Sequence, residues 1–168
     1  MLSSLNKLIA RYRERGLLVD TNLLLLLLVG AYDLEWIGRF KRTRTYTPSD
    51  YTSLNDFARQ FTHLVVTTNI LTEASNLLGE RQRGLPPEFY AILPQFIRLL
   101  KERQVASAKA VELPCFQWLG LADSVVASLG PRRHLVITDD LDLYRELLER
   151  KFDVLNFAHY RPAILGLD

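Results

Sequence analysis

Four acids, Asp20, Glu73, Asp123 and Asp140, stand inside or directly after apolar segments, where a carboxylate is costly and a leucine would be tolerated. Asp20 ends the run Leu17-Leu18-Val19 and is followed by Thr21-Asn22 and a leucine-rich stretch from Leu23 to Val29. Glu73 falls within the first turns of a helix that Thr68 or Asn69 would cap, behind the β-branched run His63–Thr67. Asp123 comes early in an apolar helix, between Leu119-Gly120-Leu121-Ala122 and Ser124-Val125-Val126. Asp139, Asp140 and Asp142 follow the run His134–Thr138, at the turn into a helix beginning near Leu143. Two unit charges about 4 Å apart repel by roughly 4 kcal/mol at an effective dielectric near 20. Gathered together, these acids require a cation. All-carboxylate donors, with no Cys and no nearby His pair, select Mg²⁺ or Mn²⁺ rather than zinc. Such an ion activates water for in-line attack on a phosphodiester, so the chemistry expected is that of a metal-dependent nuclease.

The elements that must bring the acids together are short apolar strands alternating with helices. This pattern predicts an α/β fold, three layers deep, with a central parallel sheet of about four to five strands. Strand carboxyl ends and the amino ends of the following helices then share one edge, where ligands bind if the strand order reverses. The whole chain, residues 1–168, reads as one domain. An added helix over about residues 1–16, capped by Ser3 or Ser4, carries Leu5, Leu8, Ile9 and Tyr12 on one face and ends at Gly16. Its other face bears Lys7, Arg11 and Arg15, which offers a binding surface as the alternative to plain solvation. An insertion spans about residues 30–61: periodicity fades from Tyr32 to Thr47, and a helix bearing Leu54, Phe57 and Phe61 starts at Pro48-Ser49-Asp50. Gly84-Leu85-Pro86-Pro87 breaks the chain, and a helix follows from about Glu88 to Arg103 with Pro94 in it. Val111–Pro114 reads as a short edge strand at best, Tyr144–Lys151 as helix, and Val154–Phe157 as a final strand.

Composition sets few limits. Hydrophobic residues make up 48% and charged residues 24% of the chain, which suits a folded domain and argues against disorder. The lone Cys115 excludes an internal disulfide and reads as a packed thiol. The apolar stretch Leu23–Val29 is too short to span a bilayer, so no membrane association is expected, and cytoplasm is the default location. His63, His134 and His159 lack metal-ligand spacing and read as structural; the glycines form no nucleotide-binding fingerprint.

Net charge is only +2, so any nucleic-acid contact must be local. Arg39, Lys41, Arg42 and Arg44, interleaved with Phe40 and Tyr46, are the candidates for gripping phosphates and stacking on an unpaired base. Arg81, Arg83, Arg132 and Arg133 are weaker candidates for the same contact and read first as simple surface charges. Bland readings exist for the acids as well: Asp20 can cap its helix, and Glu73 and Asp123 can complement helix dipoles. What weighs against these is that all four acids fall on one predicted edge. Thr21, Asn22, Thr138 and Asp139 would support them by orienting carboxylates or water. A receiver-type phosphoacceptor module also places acids at strand ends, but it needs a nucleophilic Asp on a middle strand and a partner Lys that are not visible here.

The ordered set Leu17-Leu18-Val19-Asp20-Thr21-Asn22, Thr68-Asn69-Ile70-Leu71-Thr72-Glu73, Leu121-Ala122-Asp123-Ser124 and Thr138-Asp139-Asp140-Leu141-Asp142-Leu143 resembles the PIN domain signature, over about Leu17 to Asn156. The resemblance implies an endoribonuclease using Mg²⁺ or Mn²⁺, with Asp20, Glu73, Asp123 and Asp140 as its metal pocket. Many bacterial members resemble the toxin half of a toxin–antitoxin pair, which adds an antitoxin protein as partner and a homodimer as the expected assembly. Alternatives are an RNA-processing enzyme, a structure-specific DNA nuclease, or a non-catalytic scaffold that binds nucleic acid or protein. Two features depart from the pattern. Asp139 stands where the family usually has a neutral or basic residue, which leaves the fourth ligand open among Asp139, Asp140 and Asp142, with Asp140 and Asp142 able to serve together. The N-terminal helix and the insertion also make this chain longer than the compact toxins.

Overall fold

In a computed structural model, which describes residues 2–79 and 85–159, the strands are β1 (Leu17–Val19), β2 (Leu64–Thr67), β3 (Lys101–Arg103), β4 (Leu135–Thr138) and β5 (Val154–Asn156). They form one all-parallel sheet in the order β3-β2-β1-β4-β5. The central strands are continuous apolar runs because both faces of the sheet are covered. The helices are α1 (Leu2–Tyr12), α2 (Thr21–Tyr32), α3 (Glu35–Arg39), α4 (Pro48–Ala58), α5 (Thr68–Gly79), α6 (Pro87–Leu99), α7 (Ser107–Val111), α8 (Phe116–Ser128) and α9 (Leu141–Glu149). Right-handed crossovers from β1 through β2 to β3, then back to β4 and β5, place α2 to α6 over one face and α7 to α9 over the other. The packing agrees, with α2 against α3, α4, α5 and α6, and α8 against α7 and α9. The fold is therefore a three-layer α/β/α sandwich, as the pattern predicts.

Helix α2 is the hub of its layer. Leu23 through Gly30 are all buried, and only Asn22 in the first turn faces solvent. A helix apolar all round is stable only when it is covered all round. Among the described residues no helix is long and apolar enough to cross a membrane. Cys115 is fully buried and, as read from the sequence, packs within the core, where burial pushes its thiol pKa up.

Gly16 joins α1 to β1 with φ +94°, a conformation that favours glycine. A Cβ there would lie 2.6 Å from Val65 Cγ2 and 2.9 Å from the His63 carbonyl oxygen. Gly16→Ala is expected to lower stability by about 1–3 kcal/mol or more, the cost of overpacking plus a left-handed backbone. Urea unfolding would show this as a lower midpoint at unchanged slope.

His134 is structural, as its sequence context indicates. Its Nδ1–H donates to the Arg15 carbonyl at 2.6 Å, while Nε2 accepts from Arg103 Nε at 3.3 Å. Burial is the main cause of its lowered pKa, and the charges of Arg103, Lys101 and Arg133 add to it. Protonation would set Nε2–H against the Arg103 donor. Because the unfolded chain takes up this proton first, near the ordinary value of 6.5, stability is full above that pH and falls as pH drops below it. The loss is read as a difference: thermal melts of His134→Gln against wild type, from about pH 7.5 to 5, should show the variant gaining stability relative to wild type as pH falls.

Several elements differ from the pattern-based expectation. The helix expected over residues 88–103 stops at Leu99, and Lys101–Arg103 become edge strand β3, held by pairing to β2 rather than by any apolar pattern of their own. Val111–Pro114 is not strand: it is the end of α7 and a turn, with Leu113 N bonded to Ala110 O. The fading segment after Tyr32 contains the short helix α3, whose Arg39 and Glu35 pair at 2.9 Å. Phe61 is buried, yet it lies beyond the end of α4. Helix α1 begins at Leu2, ahead of both serines expected to cap it, and α9 begins at Leu141 rather than near Leu143. Arg81, Arg83 and Gly84 lie outside the described residues.

Candidate functional site

The strand order reverses at β1, whose neighbours are β2 on one side and β4 on the other. The crevice beyond the carboxyl ends of β1 and β4 is thus the default binding edge of such a sheet. Asp20 follows β1 there, and Thr138 closes β4. Asp20 is the N-cap of α2, with Oδ1 accepting from Leu23 N at 2.8 Å. Its Oδ2 accepts from the Thr138 hydroxyl and, at 3.1 Å, from the Asp139 backbone N–H. One carboxylate therefore starts a helix and pins the turn of the neighbouring strand. Burial, then repulsion from Asp139, raises its pKa to about 8. Asp139 is held in turn by neutral donors: Asn22 Nδ2 at 3.3 Å, and the hydroxyl of Tyr46.

Asp123 owes its place to a break. Gly120, at φ 75° and ψ −172°, interrupts α8, so the segment carrying Asp123 starts afresh immediately before it. The side chain is half-buried and has no hydrogen bond or ion pair among the described residues. Burial raises its pKa to about 7, and the charges of Asp140 and Glu73 add to the effect. Those two acids therefore lie within electrostatic reach of Asp123. Glu73, in the second turn of α5, is exposed, and its Oε2 accepts from the buried Thr21 hydroxyl at 2.6 Å. Asp140 is exposed and caps α9, with Oδ1 accepting from Asp142 N and Leu143 N, both at 2.8 Å. The cap of α5 is Thr67, whose hydroxyl accepts from Ile70 N at 3.2 Å, and not Thr68 or Asn69.

The acids thus fall into two sets on one edge: Asp20 with Asp139, and Asp123 with Glu73 and Asp140. Asp142 joins neither, because it lies on the exposed face of α9, 3.9 Å from Arg145. Between Asp140 and Asp142, only Asp140 acts on Asp123. Among the described residues no three His, Cys, Asp or Glu side chains converge so as to hold a metal ion. The donor chemistry nonetheless suits a hard cation: oxygen donors, mutual repulsion and, among the described residues, no Lys or Arg paired with Asp20, Glu73, Asp123, Asp139 or Asp140. Convergence requires the exposed Glu73 and Asp140 to turn towards Asp123.

Next to Asp123, a groove of about 410 Å³ separates α5 from α8. Asn69, Thr72, Glu73 and Asn76 form its polar wall, and Leu121 and Ala122 form its apolar one. The predicted basic segment reaches the same edge through Tyr46. Lys41, Arg42 and Arg44 are exposed, whereas Arg39 is tied to Glu35 and lies over the Trp36 ring. Tyr46 is 8% exposed, so it is a packed support of Asp139 and is not presented for base stacking. Tyr46 is the site residue that the sequence placed in another role; it stands just ahead of Thr47, the N-cap of α4, which fixes the chain there.

No family model, curated protein or solved structure matches the chain. The site is therefore read from its own geometry.

Proposed function

We propose that this protein is a divalent-cation-dependent nuclease that hydrolyses RNA phosphodiester bonds. The observation that carries the reading is Asp123: a half-buried carboxylate without a bonding partner among the described residues, within electrostatic reach of Asp140 and Glu73 at the switch-point edge. Asp123, Glu73 and Asp140 would hold Mg²⁺ or Mn²⁺, which supplies charge neutralisation and activation of a water at neutral pH. Thr21 aims Glu73 by its 2.6 Å hydrogen bond. Asp20 fixes the β4 turn through Thr138 and Asp139, and so sets where Asp140 starts α9. Asn22 and Tyr46 hold the Asp139 carboxylate, which acts on Asp20.

The groove between α5 and α8 suits a single strand, with sugars and phosphates on the polar wall and a base on the apolar one. RNA as the substrate class comes from the PIN resemblance. So does the cellular role, the toxin of a toxin–antitoxin pair acting as a homodimer. A toxin slows growth when expressed alone and is relieved by its antitoxin protein; an RNA-processing or DNA nuclease is not. The test of the chemistry is cleavage of single-stranded RNA by wild type and Asp20→Asn, with and without chelator, and equal activity in every case rejects the site.

A second reading, a non-catalytic scaffold that binds nucleic acid or protein, draws on the lack of three convergent acids among the described residues. Calorimetric titration with Mn²⁺ that gives no heat, together with no cleavage, would select it.

A further inference from the structure

We propose that a basic belt, made of other residues than the acidic edge, binds the phosphodiester backbone of a single-stranded nucleic acid. The inference rests on the nuclease reading only for why a strand should be present. Among the described residues, a concavity of about 400 Å³ is lined by Arg11, Arg15 and Arg132. A second cleft, of about 530 Å³, has Arg103, Lys109 and Arg133 in its walls, with Glu102 its one acid. Their linings are linked. Arg132 and Arg133 are consecutive, Arg15 Nη1 donates to the Arg132 carbonyl at 2.8 Å, and His134 bridges the Arg15 carbonyl to Arg103.

These cations are largely uncompensated. Among the described residues only Arg11 has an ion pair, with Asp153 at 3.1 Å, and Glu102 already accepts from the Thr68 hydroxyl at 2.5 Å. In a chain with 21 basic and 19 acidic residues, six cations lining two connected cavities mark a concentrated field. Five of the six are arginines, whose planar forks match phosphate oxygens in pairs. Arg132 also takes φ 63°, a conformation uncommon for a side-chain-bearing residue, with its carbonyl fixed by Arg15.

The belt has an outlet. Thr68, bonded to Glu102 of the second cleft, also lines the groove that contains Glu73. A strand lying in that groove can therefore continue onto Arg103, Lys109 and Arg133. A run of phosphates fits two linked basic cavities better than any single anion does.

The test is fluorescence anisotropy of the full chain in chelator, with labelled single-stranded RNAs of about 5 and about 15 nucleotides, the span of one strand-binding groove and more. Lys109→Glu/Arg133→Glu changes two exposed side chains that make no hydrogen bond or ion pair among the described residues. Affinity for the longer RNA should fall at least about tenfold at low salt, and the log–log salt slope should drop by about 1.4, roughly 0.7 per cation lost. Should that variant not fold, Lys109→Gln/Arg133→Gln must show the same change in slope. Arg42→Glu/Arg44→Glu, in the insertion, should leave the slope closer to wild type. Unchanged affinity and slope in the belt variants would overturn the proposal. So would equally tight binding of a polyglutamate of the same charge, which would assign the belt to acidic polypeptides. Cleavage in Mn²⁺ separates the two claims: wild type that binds through the belt but never cleaves removes the nuclease reading alone, while wild type that cleaves and belt variants that bind normally remove the belt alone.

Discussion

Asp123→Asn is expected to lower RNA cleavage by at least about 100-fold while making the metal-free protein more stable at pH 8. Loss of a group that merely orients a metal ligand already costs about 10- to 100-fold, and a ligand costs no less. The stability change has the opposite sign for a reason visible in the fold. Asp123 has a pKa raised to about 7 by burial and by Asp140 and Glu73, so at pH 8 it is held ionised where its charge is disfavoured. An amide of the same shape removes that penalty and leaves no broken hydrogen bond, since none is made among the described residues. Side-by-side melting curves and cleavage rates check both halves. A variant that loses activity and stability together would show that Asp123 is structural. One that keeps its activity would remove it from the site.

The second large effect is the pH dependence of the metal-free fold. Asp20 has a folded pKa raised to about 8 from an ordinary 3.8, first by burial and then by Asp139. Asp123 moves the same way, to about 7. Between the unfolded and folded values the native state holds more protons than the unfolded chain. Stability is therefore full below about pH 4 as far as these groups are concerned, and is lost as pH rises through 7 and 8. Melting temperature in chelator should fall from pH 6 to pH 9, opposite to the acid-side loss that His134 causes. Asp20→Asn should flatten the alkaline part. An asparagine that keeps the cap to Leu23 N puts its amide nitrogen where Oδ2 was, so the Thr138 hydroxyl and the Asp139 N–H both lose their acceptor. That cost does not vary with pH, which makes the slope, and not the absolute stability, the quantity to read. An alkaline limb equally steep in Asp20→Asn would mean that some other group titrates there.

Much of this architecture was legible in the chain. Leu17–Val19, Leu64–Thr67, Leu135–Thr138 and Val154–Asn156 are apolar runs that only a doubly covered strand explains, and each lies where the pattern put it. Acids placed directly after two of those runs had to share the carboxyl edge of a parallel sheet, because the strand ends fix their height. Strand β3 was hidden because Lys101-Glu102-Arg103 has no hydrophobic signature: an edge strand exists through hydrogen bonds to its neighbour. Helix α7 was hidden because five residues carry too little periodicity to declare themselves.

The site divides in the same way. Sequence alone determined that Asp20 and Asp140 follow strands onto that edge and that Asp20 can begin a helix, since side-chain type and distance along the chain govern capping. Only the tertiary structure decided that Asp20 bonds across to Thr138, that Tyr46 holds Asp139, and that Arg11, Arg15, Arg103, Lys109, Arg132 and Arg133 form one belt. The reason is range: caps and strands are set by neighbours a few residues away, whereas these contacts join segments up to about a hundred residues apart, whose approach depends on the packing of the whole sheet and its helices.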